Sequence, residues 1–174
     1  MILHRFLAAV VLVAATTTPA FADANSDIQG AMIALTKLTS YHMEISTARE
    51  TIVADYASPG RYHTVGAGTE SIIIGPTMYL KLHGSWKKLS GNMGSLMDYT
   101  KTLTTHPRGM VATELGPRMV GGAALHAYRV LDTATHKSDT IFLDNRGRIV
   151  RMEEGTTIMT ISRFNAPVTI RAPI

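Results

Sequence analysis

The chain offers few residues at spacings that do chemistry. Its histidines after the N-terminal stretch are His42, His63, His83, His106, His126 and His136. None forms a His-x-His pair or a His-Glu-x-x-His motif, the compact spacings that bring ring nitrogens onto one metal ion. His42 and Glu44 fall on one face of an alternating segment, which supplies two ligands and no third. There is no Gly-x-Ser-x-Gly elbow for a nucleophilic serine. Glu153 and Glu154 are adjacent, and neighbours on a strand point to opposite faces, a poor arrangement for shared acid–base work. Gly66-Ala67-Gly68 has no helix behind it and reads as a hairpin loop, not a phosphate cradle. Zero cysteines exclude thiolate catalysis, Cys-ligated zinc, iron–sulfur clusters and a lipid anchor on an N-terminal cysteine. A non-enzymatic protein without metal or cofactor is expected.

Apolar contacts are the richer signal. Met43, Met78, Met93, Met97, Met110, Met119, Met152 and Met159 stand in a sequence with one Trp and four Phe. Flexible thioethers adapt to irregular apolar partners, which suits a cavity for acyl chains of varied shape. The same side chains would equally fill a core poor in aromatics, and both readings stand. Lys87-Lys88 and Arg146, Arg148 and Arg151 are the basic clusters. Solvated charges on strand edges explain them better than headgroup contacts do.

The elements that would position these residues are mostly strands. Ser26-Asp27-Ile28-Gln29 has the form of a capping box, and Ile28, Met32, Leu35 and Leu38 continue it as one apolar helical stripe ending near Thr39-Ser40. Period-two alternation then predicts strands over 41–46, 51–56, from 61, 70–74 and 78–82. Trp86 continues the face of Met78, Leu80 and Leu82 if no bulge intervenes. Strands resume at 110–115, 123–131, 140–143, 148–153, 156–164 and 168–171, with a hairpin turn at Asp144–Gly147. Ser90–Arg108 breaks the pattern, being rich in Ser, Thr, Gly and Met, with Leu96, Met97 and Leu103 at loosely helical spacing. A short helical lid is expected there. About ten strands and one helix make an α+β fold: a strongly curved antiparallel half-barrel sheet wrapped around the N-terminal helix.

The 174 residues, 45% hydrophobic and 17% charged with a net charge of +4, suit one domain with a real core. Residues 1–22 have the form of an export signal. A short positive start is followed by the apolar run Phe6–Ala15, too short to span a membrane, and by small residues around Ala22. Cleavage there would leave a single domain over 23–174, soluble and periplasmic, with no spanning segment and no nucleic acid as partner.

This order of parts resembles the LolA-like superfamily, which includes periplasmic lipoprotein carriers and the LppX and LprG lipid-binding lipoproteins. The residues that carry the resemblance are Ser58-Pro59-Gly60-Arg61-Tyr62, Gly75-Pro76-Thr77-Met78-Tyr79-Leu80-Lys81 leading to Trp86, and Gly121-Gly122 before Tyr128. Asp144–Glu153 and the ending Phe164-Asn165-Ala166-Pro167-Val168-Thr169-Ile170 complete the set. The resemblance implies a binding protein for a lipid, acyl chain or other apolar ligand held between sheet and helix, including carriage across the envelope. Two departures qualify it. LppX-like members carry a lipobox cysteine that this chain lacks, which implies a soluble form. The carriers place an Arg before the Pro of the strand–turn corner, where Ser58 stands here, so their lid latch is not carried over. The cavity and lid candidates are Met43, Met78, Leu80, Trp86, Met93, Leu96 and Met97. A second reading is an envelope sensor or interaction module of the same fold, binding a protein or lipoprotein partner. A monomer is expected in either case.

Overall fold

The computed structural model describes residues 23–90 and 109–174. The expected lid, with Met93, Leu96 and Met97, therefore lies outside the described residues, apart from Ser90 at a strand end. Among the described residues, one helix, α1 (Ala24–Thr36), precedes eleven strands. They are β1 (Ser40–Ser46), β2 (Thr51–Ala57), β3 (Arg61–Gly66), β4 (Thr69–Ile74), β5 (Thr77–Leu82), β6 (Ser85–Ser90), β7 (Met110–Val120), β8 (Ala123–Asp132), β9 (Ser138–Leu143), β10 (Ile149–Glu154) and β11 (Thr157–Ser162).

All eleven strands form one antiparallel sheet in the order β6-β5-β4-β3-β2-β1-β11-β10-β9-β8-β7. Two meanders are thus joined where β1 pairs with β11, with Met43 opposite Ile161 and Ile45 opposite Met159. Among the described residues β6 and β7 are the two edges of the sheet, which is a half-barrel and not a closed barrel.

Helix α1 buries Ile28, Ala31, Met32 and Leu35, the stripe its sequence marks out. These side chains share one core with Tyr41, Tyr128, Val130, Ile141, Leu143, Ile149, Met152, Met159 and Ile161, which come from β1 and β8–β11. Met110 and Ala112 of β7 pack on its margin. Laid flat, β7 to β1 would span roughly 24 Å, about twice the width of a helix. One helix reaches them all because the sheet curves around it. The helix start corrects the expected capping box: the cap is Asp23, whose carboxylate accepts from Asn25 N at 3.4 Å. Asn25 Oδ1 in turn accepts from Ala112 N at 2.8 Å, which satisfies a backbone donor on the edge strand β7.

Three further expectations need correction. β7 runs through Gly116-Pro117 and does not end at Leu115, because a bulge between Glu114 and Gly116 absorbs the irregularity. Pro117 lies opposite His126 on an edge strand, where its missing N–H breaks no second ladder. Residues 168–171 form no strand. Instead this tail lies on the outer face, where Val168 and Ile170 cover Ala57, Ile72, Ile74, Tyr79 and Trp86. Trp86 itself is on that outer face, opposite to the expectation. β5 and β6 are joined by the two residues His83-Gly84, so Leu82 pairs with Ser85 and Lys81 with Trp86. A two-residue turn shifts the parity of the alternation, and residues 78, 80 and 82 share a face with 85, 87 and 89. The Gly66-Ala67-Gly68 segment is a hairpin corner, as read from the sequence, with Ala67 and Gly68 at φ 52° and 69°.

Candidate functional site: the concave face of β3 to β6

Cross-strand register identifies which side chains look inward. Tyr41 pairs with Tyr56, Tyr56 with Tyr62, Tyr62 with Ile73, Ile73 with Met78, and Met78 with Leu89. Partners directly opposite one another share a face, and Tyr41 lies in the helix core. The whole row therefore lines the concave side, from the helix out to edge strand β6. It begins as a ladder of aromatic rings. Tyr41 stacks on Tyr56 with centroids 4.8 Å apart, and Tyr56 meets Tyr62 at 5.1 Å and a tilt of 47°. The Tyr41 phenol is pushed well above its ordinary pKa, first by burial and then by the Tyr62 and Tyr56 phenols beside it.

A second inward row is mixed. Met43, Ala54, Thr64, Ser71, Leu80 and Lys87 succeed one another across β1 to β6. The apolar row and this second row lie about 7 Å apart along the strands, two residues of rise.

The two halves of the concave face differ. The helix core takes residues from β1, β7–β11 and Tyr56 of β2, and none from β3–β6 among the described residues. Among the described residues, two small cavities lie against the helix, of about 70 Å³ by Met32, Met110 and Val130, and about 20 Å³ by Leu35, Ile149 and Phe164. Ligand pockets usually need some 300 Å³ or more. On the other side Ile73 is buried, Met78 and Leu80 are half-buried, and Leu89 is 40% exposed.

The sequence-predicted residues sort accordingly. Met43 packs at the margin of the helix core. Met78 and Leu80 lie on the concave face of β5, in neighbouring rows. Trp86 faces outward against Ile74 and Val168. Of the other methionines, Met152 and Met159 are core residues and Met110 packs against them, whereas Met119 is 70% exposed. Sequence reasoning missed Tyr62, Ile73 and Leu89. Each is apolar at an alternating position, but their common row exists only through pairing across four strands.

The polar groups elsewhere partner one another. On the outer face His42 Nδ1 lies 2.7 Å from Asp55 Oδ1, and Glu70 receives Lys81 Nζ at 2.8 Å with His63 Nε2 at 3.1 Å. The hydrogen bonds from Lys81 and His63 hold the Glu70 carboxyl below its usual range. An open depression of about 570 Å³ between the two hairpin turns at 66–69 and 82–85 includes this Glu70–Lys81 pair. Its charges are mutually compensated. Among the described residues, no group of three or more His, Asp or Glu side chains could hold a metal ion, and no helix is long and apolar enough to cross a membrane.

No family model matches the chain, and no curated protein does. Solved structures do. The lipoprotein LppX of Mycobacterium tuberculosis superposes with a TM-score of 0.67 at 17% identity, covering 84% of this chain and 97% of LppX. LprF from Mycobacterium bovis gives a TM-score of 0.65 at 19% identity, covering 86% of this chain and 96% of LprF. The described half-barrel of strands around helix α1, matched over nearly the full length of both proteins, gives this chain the fold of LppX and LprF.

Proposed function

We propose that this protein is a non-enzymatic periplasmic binding protein that holds an acyl lipid or other apolar ligand on the concave face of β3 to β6. The observation that carries this reading is the inward row Tyr62, Ile73, Met78 and Leu89, which prolongs the helix core onto strands from which that core takes no residue. An apolar ligand there would remove from water the surface that α1 removes on the other half. The two small cavities against the helix, by Met32 and by Leu35, support a place of binding beside the helix and not beneath it. Export by a signal cleaved after Ala22 belongs to this reading and is checked by the mass of the protein recovered from the periplasm.

Native mass spectrometry of gently purified protein should reveal a co-purified apolar molecule, and diphenylhexatriene should fluoresce on binding. Protein that is always ligand-free and leaves the probe dark would overturn the proposal. The alternative, a module that binds a protein partner, draws on one feature: the edge strand β7 exposes Val111 at 47% and Met119 at 70%. It predicts that a Met119→Glu variant loses a partner captured by the wild type while binding apolar probes normally.

A further inference from the structure

The C-terminal tail joins the sheet through one turn. β11 ends at Ser162, opposite His42 of β1. Arg163 then takes φ 50°, and its carbonyl oxygen accepts from Ala166 N at 3.1 Å. This left-handed residue turns the chain off the line of β11, at a steric cost to any residue with a Cβ. The contacts that hold the tail come after it. Phe164 packs at the margin of the helix core, with the Arg148 guanidinium 4.3 Å from its ring centre. Asn165 and Ala166 are bonded to Thr39 and Ser40. Val168 and Ile170 cover Ala57, Ile72, Tyr79 and Trp86 on the outer face. Beyond Ala166 the tail forms no backbone–backbone hydrogen bond among the described residues. It can therefore leave its groove without breaking a ladder.

We propose that this outer-face groove is an interaction surface for the tail of a second copy, and that two chains exchange residues 164–174 to form a symmetric dimer. The proposal concerns the outer face and does not depend on the apolar-ligand reading. An extended backbone at Arg163 carries the tail straight on from β11 and into a neighbouring chain. Because the chains are identical, the contacts of Phe164, Asn165, Ala166, Val168 and Ile170 all re-form there, and the Arg163–Ala166 turn bond is the one given up. In return, each Arg163 leaves the left-handed region. A second copy fits the groove better than an unrelated peptide, since it alone brings an aromatic ring, an Asn and two β-branched residues at these spacings. Exchange is set against the entropy of association, so the balance between monomer and dimer follows protein concentration.

The test changes the hinge in opposite directions and reads the mass of the full chain by light scattering after gel filtration. Arg163→Pro and Arg163→Gly both remove the charge, but proline holds φ at about −65° and forbids the closed turn, whereas glycine accepts it freely. The proline variant should be mostly dimer. The glycine variant should dimerise about tenfold or more weakly than wild type. Trp86, the chain's one tryptophan, reports whether the groove is covered. Its emission should be the same in the proline dimer as in the wild type. Adding Ile170→Asp to the proline variant should return it to monomer and shift that emission to the red, because a charge does not dock in an apolar groove. A proline variant that stays monomeric would overturn the exchange. So would a dimer that survives Ile170→Asp, which would place the interface elsewhere. Should the proline variant fail to fold, wild type refolded from urea at rising concentration decides. A dimer that Ile170→Asp abolishes and Arg163→Gly weakens would support the proposal, and monomer at every concentration would overturn it.

Discussion

Tyr128 on β8 donates its hydroxyl hydrogen to Asp27 Oδ2 in the first turn of α1, across 2.9 Å. With Tyr128 only 5% exposed, this bond and the Asn25–Ala112 bond pin the start of the helix to the β7–β8 edge of the sheet. Burial first, and the hydrogen bond to Asp27 second, push the Tyr128 pKa up to about 12. The folded state thus favours the neutral phenol. The stability this provides is complete below pH 10, the ordinary tyrosine value, and is lost as pH rises through about 12. Tyr128→Phe should cost about 1–2 kcal/mol at pH 7 and flatten part of the alkaline loss of stability. Denaturant unfolding at pH 7 and pH 11 measures both effects. An alkaline profile unchanged by the substitution would assign the loss to other groups, Tyr41 first among them.

Asp139 on β9 has the opposite character. Its Oδ1 is buried without a hydrogen-bond partner. Its carboxyl pKa is raised, first by burial and then by the negative charge of Glu154. A raised carboxyl pKa means that the stability present at low pH declines as pH rises through the folded value. Asp139→Asn removes the charge while keeping the size, and should raise the melting temperature at pH 7 by roughly 1–2 °C. At a pH below the carboxylate range the difference should vanish. A variant that melts lower at pH 7 would mean the carboxylate has a stabilising partner after all.

Met43, Met78 and Trp86 should respond differently to truncation. Met43 packs on the helix core, so Met43→Ala should cost about 2 kcal/mol or more of stability. Trp86 packs on the outer face under Val168, so Trp86→Ala should destabilise by about 3 kcal/mol and leave apolar-probe affinity unchanged. Met78→Ser combined with Leu89→Ser alters the concave face of β5 and β6, so probe affinity should fall severalfold with little loss of stability. Urea titrations and diphenylhexatriene binding on the same preparations separate the three. Normal binding by the Met78/Leu89 double variant would exclude β5 and β6 from the site.

The C-terminal tail depends on Asn165. Its Oδ1 accepts from Thr39 N at 2.9 Å and from Thr39 Oγ1 at 3.1 Å, while its own N donates to Ser40 O at 2.8 Å. Its φ of 57° is one that Asn tolerates better than most residues. Asn165→Ala loses both side-chain bonds and adds backbone strain, for about 1–3 kcal/mol in total. Hydrogen exchange should then accelerate at Val168 and Ile170, which Asn165 holds over the outer face. Unchanged protection there would mean that the apolar contacts alone retain the tail.

Local order was legible in the residues themselves. The stripe Ile28, Met32 and Leu35 announces a helix with one buried face, and that face is the one buried. Alternation marks the strands and the turns Gly66-Ala67-Gly68 and Asp144–Gly147, because strand and turn preferences act over a few neighbouring residues. The absence of a recurring metal or nucleophile motif was equally visible. What the sequence could not decide depends on partners far along the chain. Trp86 lies on the outer face because the turn at His83-Gly84 reverses the parity, a matter of which residue pairs with which. The join of β1 to β11 brings together residues more than a hundred positions apart, and it decides that Met43 belongs to the helix core while Met78 does not. Thr64 looks like any alternating threonine in the sequence. Pairing with β2 and β4 turns it inward, and its hydroxyl is buried without a partner, since hydrogen-bond satisfaction is a property of the assembled surroundings and not of the residue.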